Sequence, residues 1–116
     1  MSNEFLDYIE DILDSMNKAE ILLDNVNFEQ FETDFRINFA VVRALEIIGE
    51  ATKRIPDAVR LEYPSIPWKG MAGMRDRIIH GYDTVDLQIV WDVVKKDIPL
   101  IKPQLRQILT NYESRE

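Results

Sequence analysis

The stretch at residues 87–112, LQIVWDVVKKDIPLIKPQLRQILTNY, decides the fold. Leu87, Trp91, Val94, Ile98, Ile101, Leu105, Ile108 and Tyr112 follow alternating steps of four and three, the spacing that keeps side chains on one helix face. The stripe holds its phase through Pro99 and Pro103. Each proline deletes a backbone hydrogen bond and bends the axis. One long helix kinked at the prolines is therefore expected, rather than two unrelated ones.

Upstream, the same period returns. Phe5, Ile9, Ile12, Met16, Ala19 and Leu23 recur at three- and four-residue steps within 3–25, with Glu4, Asp7, Asp11 and Asp14 on other faces. Asn25-Val26-Asn27 reads as a turn. A second helix is expected from about Phe28 to Arg54, stopped by Pro56 because the residue before a proline avoids helical geometry. It is apolar on two sides: Phe31, Phe35, Val42, Leu45 and Ile48 form one stripe, and Ile37, Val41, Ala44 and Ala51 another. Such a helix lies centrally in a bundle or at a subunit interface. Its small residues Ala40, Ala44, Gly49 and Ala51 permit close backbone approach. Arg36, Arg43, Glu46, Glu50 and Lys53 trace a polar strip between the apolar ones, either a solvated, salt-bridged face or the lining of a cleft.

Residues 57–63 can add a helical turn before the irregular Tyr63-Pro64-Ser65-Ile66-Pro67. A further helix should start near Pro67, a favoured first-turn residue, and end around His80 because Gly81 is a natural left-handed terminator. No β-period, repeat or low-complexity segment is present. The expectation is an all-α fold, an antiparallel up-and-down helical bundle with a long kinked C-terminal helix, in one domain over 1–116.

The totals narrow the function. The chain has 116 residues, 46% hydrophobic and 30% charged, as in a globular protein. Without cysteine, thiol catalysis, disulfides and zinc-thiolate sites are excluded. No run is apolar enough to span a bilayer, and the acidic N-terminus lacks signal-peptide character, so a cytoplasmic protein with no membrane partner is expected. The net charge of −7 opposes broad nucleic-acid binding. Its distribution is uneven: residues 1–34 carry ten acids and one base, whereas 35–80 carry eight bases and five acids. A locally basic middle suits a confined anion site, or simply a polar helix face.

The chemistry is concentrated in Arg75-Asp76-Arg77-Ile78-Ile79-His80-Gly81-Tyr82. His80 is the only histidine, and imidazole is the side chain suited to proton exchange near neutrality. Arg75 shares an ideal helix face with Met71, Ile78 and Ile79, so it needs a partner: a phosphate, a partner across an interface, or a structural salt bridge to Glu46 or Glu50. Asp76 precedes His80 by four, where a carboxylate could orient the ring; alternatively His80 caps its helix. Arg75 and His80 lie about 140° apart around an ideal helix. Either the turn at Gly81 swings the imidazole round, or two copies of the chain build the cleft. Tyr82 can pack back onto the helix or stay exposed beside His80. Arginine, histidine and a hydroxyl without a metal-ligand cluster suit cleavage of RNA, whose own 2′-hydroxyl is the nucleophile. Histidine supplies acid–base help and arginine charge stabilisation. DNA lacks that hydroxyl and is not a substrate by this route.

These residues resemble the HepT-like toxins of the HEPN superfamily, whose signature R-x4-H-x-Y matches Arg75, His80 and Tyr82. The resemblance extends to Ala44-Leu45-Glu46-Ile47-Ile48-Gly49-Glu50-Ala51, Tyr63-Pro64, Ile66-Pro67-Trp68, Gly73-Met74-Arg75, His80-Gly81-Tyr82-Asp83 and Val90-Trp91. It implies a helical homodimer whose two-fold cleft joins Arg75 and His80 of both subunits as catalytic residues, with no metal and no cofactor. It implies a type VII-like toxin–antitoxin pair cleaving cellular RNA. The implied partner is an MntA-type nucleotidyltransferase antitoxin that adenylylates Tyr82. Asp76, a supporting residue, stands where the family often has asparagine. The alternative is a catalytically silent helical module that binds a minimal nucleotidyltransferase and a nucleotide.

Overall fold

Helix α1 (Phe5–Leu22) turns its apolar stripe, from Phe5 through Ile9, Ile12 and Met16 to Ala19, onto helix α3 (Phe35–Thr52) and the C-terminal helix. The coordinates are a computed structural model describing residues 3–115. The expected turn follows α1, with Asn25 at φ 57° in the left-handed region that asparagine tolerates. Asn27 then opens helix α2 (Phe28–Thr33): its side chain accepts from the Gln30 amide while the Gln30 side chain accepts from the Asn27 amide.

The single helix expected from Phe28 to Arg54 is two. Asp34 adopts extended geometry (φ −102°, ψ 101°), ends α2 and caps α3 by accepting from the Arg36 amide at 3.0 Å. A break exposes carbonyls that helix continuation would have satisfied. Asn38, 7% exposed, supplies the missing donor: its amide nitrogen donates to the carbonyls of Phe31 (3.0 Å) and Glu32 (3.3 Å). The break also resets the helical phase. Phe31 is fully buried, yet Phe35, expected on the same stripe, stands 67% exposed. Val41, Val42, Ala44, Leu45, Ile48 and Ala51 are buried as expected of a central helix.

Pro56 leads into the short helix α4 (Asp57–Glu62). The helix expected over Pro67–His80 is also interrupted. Helix α5 (Trp68–Ala72) and helix α6 (Met74–Ile78) meet at Gly73, and the helical path ends at Ile78. Ile79–His80 (β1) instead pairs antiparallel with Thr84–Val85 (β2), Ile79 opposite Val85 and His80 opposite Thr84. Gly81 does occupy the left-handed region, at φ 82°, but as a hairpin residue rather than a helix terminator. This two-residue ribbon is a small addition to an all-α bundle.

The C-terminal helix runs from α7 (Leu87–Asp92) through a π turn (Val93–Asp97) into α8 (Ile98–Glu113), with Pro99 and Pro103 inside its path. In the π turn the Ile98 amide reaches back to the Val93 carbonyl. The wide turn carries one surplus residue, so the buried edge moves from Val90 and Val93 to Val94, Ile98 and Ile101. Leu87, Trp91 and Tyr112 of the expected stripe pack against the core only partly buried. No helix among the described residues is long and apolar enough to cross a membrane.

Candidate active site

The motif segment is set down on α3 at the one position without a side chain. A Cβ on Gly49 would sit 3.2 Å from the Met71 carbonyl oxygen and 3.3 Å from the Met74 Cβ. The close approach anticipated for the small residues of this helix thus occurs at Gly49, and it seats α5 and α6 with Met71, Met74 and Ile78 buried. Anchored through those three, α6 turns Arg75, Asp76 and Arg77 outward.

The two arginines differ. Arg77 pairs with Asp97 of the π turn at 3.6 Å and so ties the motif to the C-terminal helix. Arg75 is exposed, and its guanidinium has no hydrogen bond or ion pair among the described residues. The apolar seat and the structural bridge to Glu46 or Glu50 considered for it do not form; Glu50 pairs with Lys53 at 3.3 Å instead. Because α6 stops at Ile78, Asp76 and His80 are not stacked one helical turn apart, and no hydrogen bond joins them.

His80 rides on β1. The hairpin around it is closed by the strand pairing and by the Asp86 amide donating to the Ile78 carbonyl at 2.8 Å. Asp86 then caps α7 through the Ile89 amide. Between the strands lies a three-residue loop, Gly81-Tyr82-Asp83, with Tyr82 at its tip. There the phenol is 98% exposed, and no packing back onto the helix occurs. Arg75, His80 and Tyr82 are therefore presented to solvent by one short segment. Among the described residues no hydrogen bond joins the side chains of Arg75 and His80.

A groove of about 390 Å³ runs between the hairpin and α3, its lining including Phe39, Val42 and Glu46 of α3 and Ile79, Tyr82 and Asp83 of the hairpin. Phe39 is 73% exposed and contacts Phe35 edge-to-face, ring centroids 6.0 Å apart. The sequence reading placed Phe35 in the core and did not single out Phe39. The signal available was Asp34, a strong N-cap residue directly before Phe35. No three His, Cys, Asp or Glu side chains converge as metal ligands among the described residues.

Comparison with known proteins meets this geometry. The family model for "Ribonuclease HepT-like" matches residues 12–108. The chain belongs to the HepT-like ribonuclease family. Among relatives of this family, "Probable ribonuclease HepT" of Thermococcus cleftensis is 44% identical, covering 93% of this chain and 98% of its own. "Putative RNase MJ1216" of Methanocaldococcus jannaschii is 42% identical over 94% of this chain and 90% of its own. "Putative RNase TTE0752" of Caldanaerobacter subterraneus subsp. tengcongensis is likewise 42% identical, over 88% and 91%. No solved structure matches the chain.

Proposed function

We propose that this HepT-like protein is a metal-independent endoribonuclease toxin acting as a homodimer, with Arg75 and His80 of both copies lining one cleft. One observation carries the reading: the side chains of the motif's arginine, histidine and tyrosine are all turned to solvent, with no hydrogen-bond or ion-pair partner among the described residues. Arg77, two residues on, shows the contrast, since its charge is used within the fold. An unpaired guanidinium suits the non-bridging oxygens of a phosphodiester, where negative charge grows during cleavage.

The chemistry needs only the substrate and these side chains. The 2′-oxygen attacks the adjacent phosphorus, the P–O5′ bond breaks, and the fragments end in a 2′,3′-cyclic phosphate and a 5′-hydroxyl. One His80 takes the 2′-hydroxyl proton. A second, from the other copy, returns a proton to the leaving 5′-oxygen. Asp76 is the supporting carboxylate beside Arg75, acting on the cleft's charge and not through a hydrogen bond to His80 of its own chain.

Neutralisation follows from Tyr82. Its phenolic oxygen attacks the α-phosphorus of ATP held by an MntA-type nucleotidyltransferase antitoxin, pyrophosphate leaves, and an AMP ester remains at the hairpin tip. The added bulk and negative charge then occupy the approach of RNA to His80. The silent-module reading is favoured by the net charge of −7, which weakens attraction to any polyanion, and by the scarcity of other candidate catalytic groups in the sequence.

The test is cleavage of a labelled RNA in EDTA by wild type, Arg75→Ala and His80→Ala. Loss of about 100-fold or more in each variant is expected, at unchanged circular dichroism. Undiminished cleavage by either variant removes its catalytic role, and an inert wild type leaves the silent module. With antitoxin and ATP, wild type should gain AMP and Tyr82→Phe should not; modified Tyr82→Phe would place the acceptor elsewhere.

A further inference from the structure

We infer that the aromatic edge of α3 is the seam between two copies, with Phe35 of the partner subunit seated in the groove beside the motif hairpin. The inference rests on the homodimer reading above and names its surface. Of the large exposed apolar or aromatic side chains, Phe39 and Tyr82 line this groove and Phe35 stands beside it, edge-to-face on Phe39, whereas Ile21, Leu61 and Leu100 lie on α1, α4 and α8. At roughly 200 Å² per aromatic side chain, those three present on the order of 450 Å², about half of what one partner buries in a stable interface.

The surface is self-complementary, as a two-fold contact requires. It offers a projecting ring, Phe35, and a hollow of about 390 Å³ large enough for one. An antiparallel crossing of the two α3 helices between Phe39 and Val42 sets residue 35 of each copy opposite residue 46 of the other. Phe35 then lies over Val42 and Glu46 of the groove lining, and Arg36, whose guanidinium pairs with the Asp34 carboxylate of its own chain at 3.2 Å, meets Glu46 across the axis by exchanging that partner. Because the hollow is lined by Ile79 and Tyr82, the same contact brings each copy's hairpin to the seam, with the His80 side chain on the strand face opposite that of Ile79. Glu46 and Asp83 in the groove lining oppose a phosphate chain there, which favours a second copy over RNA as the occupant. AMP on Tyr82 would compete with the partner's ring for the hollow, so modification would loosen the dimer as well as block the cleft.

Light scattering after size exclusion, together with sedimentation equilibrium, tests this. Wild type should be a dimer, and Phe35→Asp and Phe39→Asp should dissociate at least about 100-fold more readily with helicity unchanged. Ile21→Asp and Leu61→Asp should remain wild-type dimers. Glu46→Arg should weaken the dimer, and adding Arg36→Glu should restore it, an outcome that simple misfolding does not give. A monomeric wild type at about 100 μM, or an intact Phe35→Asp, Phe39→Asp dimer, overturns the seam. A monomeric wild type that loses RNA affinity in Phe39→Asp overturns it in favour of a base-stacking platform. If those dimers persist while His80→Ala still abolishes cleavage, the seam fails and the ribonuclease reading stands. If the Phe39→Asp monomer cleaves RNA normally, the seam stands and the shared cleft fails.

Discussion

Replacing Asn38 tests how the α2–α3 break is held. Its amide donates to two carbonyls, Phe31 at 3.0 Å and Glu32 at 3.3 Å, and sits 7% exposed. In Asn38→Ala both bonds go, at about 1 kcal/mol net each, and the Phe31 carbonyl is left buried without a donor, adding about 1 kcal/mol. Alanine's better helix propensity returns roughly 0.6 kcal/mol. The net loss is about 2–2.5 kcal/mol, or roughly 6–10 °C in Tm for a chain of this size. Urea unfolding at fixed protein concentration, with an unchanged m-value, is the measurement. Asn38→Asp supplies the sharper arm. Near neutral pH its carboxylate can only accept, so it faces two carbonyl oxygens and should destabilise more than alanine. Its folded-state pKa is thereby raised, so stability should be regained as pH falls and the acid form donates once. A loss below about 0.5 kcal/mol in Asn38→Ala, or an Asn38→Asp variant indifferent to pH, would refute this account of the break.

Two further perturbations probe other parts of the fold. Gly81→Ala meets no atom within 4 Å, but the residue is held at φ 82°; the expected cost is about 1–2 kcal/mol of backbone strain, read by chemical unfolding and by faster exchange of the Thr84 and Asp86 amides, which face the partner strand. Near the C-terminal end of α8, hydrogen bonds from Arg115 and then Tyr112 hold the Glu62 carboxyl below its usual range. A depressed folded pKa stabilises the protein above the unfolded value of about 4.3 and loses that contribution as pH falls through the folded one. Wild type should therefore exceed Glu62→Gln in stability at neutral pH, with the difference vanishing in acid and shrinking in high salt; a pH-independent difference would exclude the carboxylate as its source.

Much of this was legible in the residues. The apolar periods of α1, α3 and α8 survive as buried faces, because a 3.6-residue repeat leaves little choice of which edge meets the core. Gly49 also read correctly, since a small residue amid Ile48 and Ala51 implies a close neighbour. The α2–α3 break was harder to see, because it is fixed by Asn38 reaching back seven residues to Phe31. Local propensity gives no warning of such a bond. The hairpin had a local signal, Gly81 between Ile79 and Val85, but a two-residue ribbon is too short to show a β-period. That error displaced His80 from the helix end and gave Asp76 a neighbour it does not have. Exposure of Tyr82 followed from the same loop, and Phe35 emerged only once the helical phase was reset at Asp34.

The π turn at Val93–Asp97 has a consequence for how this chain tolerates changes in length. A helix turn with a surplus residue can lose one and relax to the ordinary pitch, leaving Ile98, Ile101, Leu105 and Ile108 facing inward. Deleting a residue between Ile98 and Ile108 instead turns everything beyond it by about 100°, carrying apolar side chains into water. Single-residue deletions should be accepted in one five-residue window of the helix and rejected along the rest of its buried length.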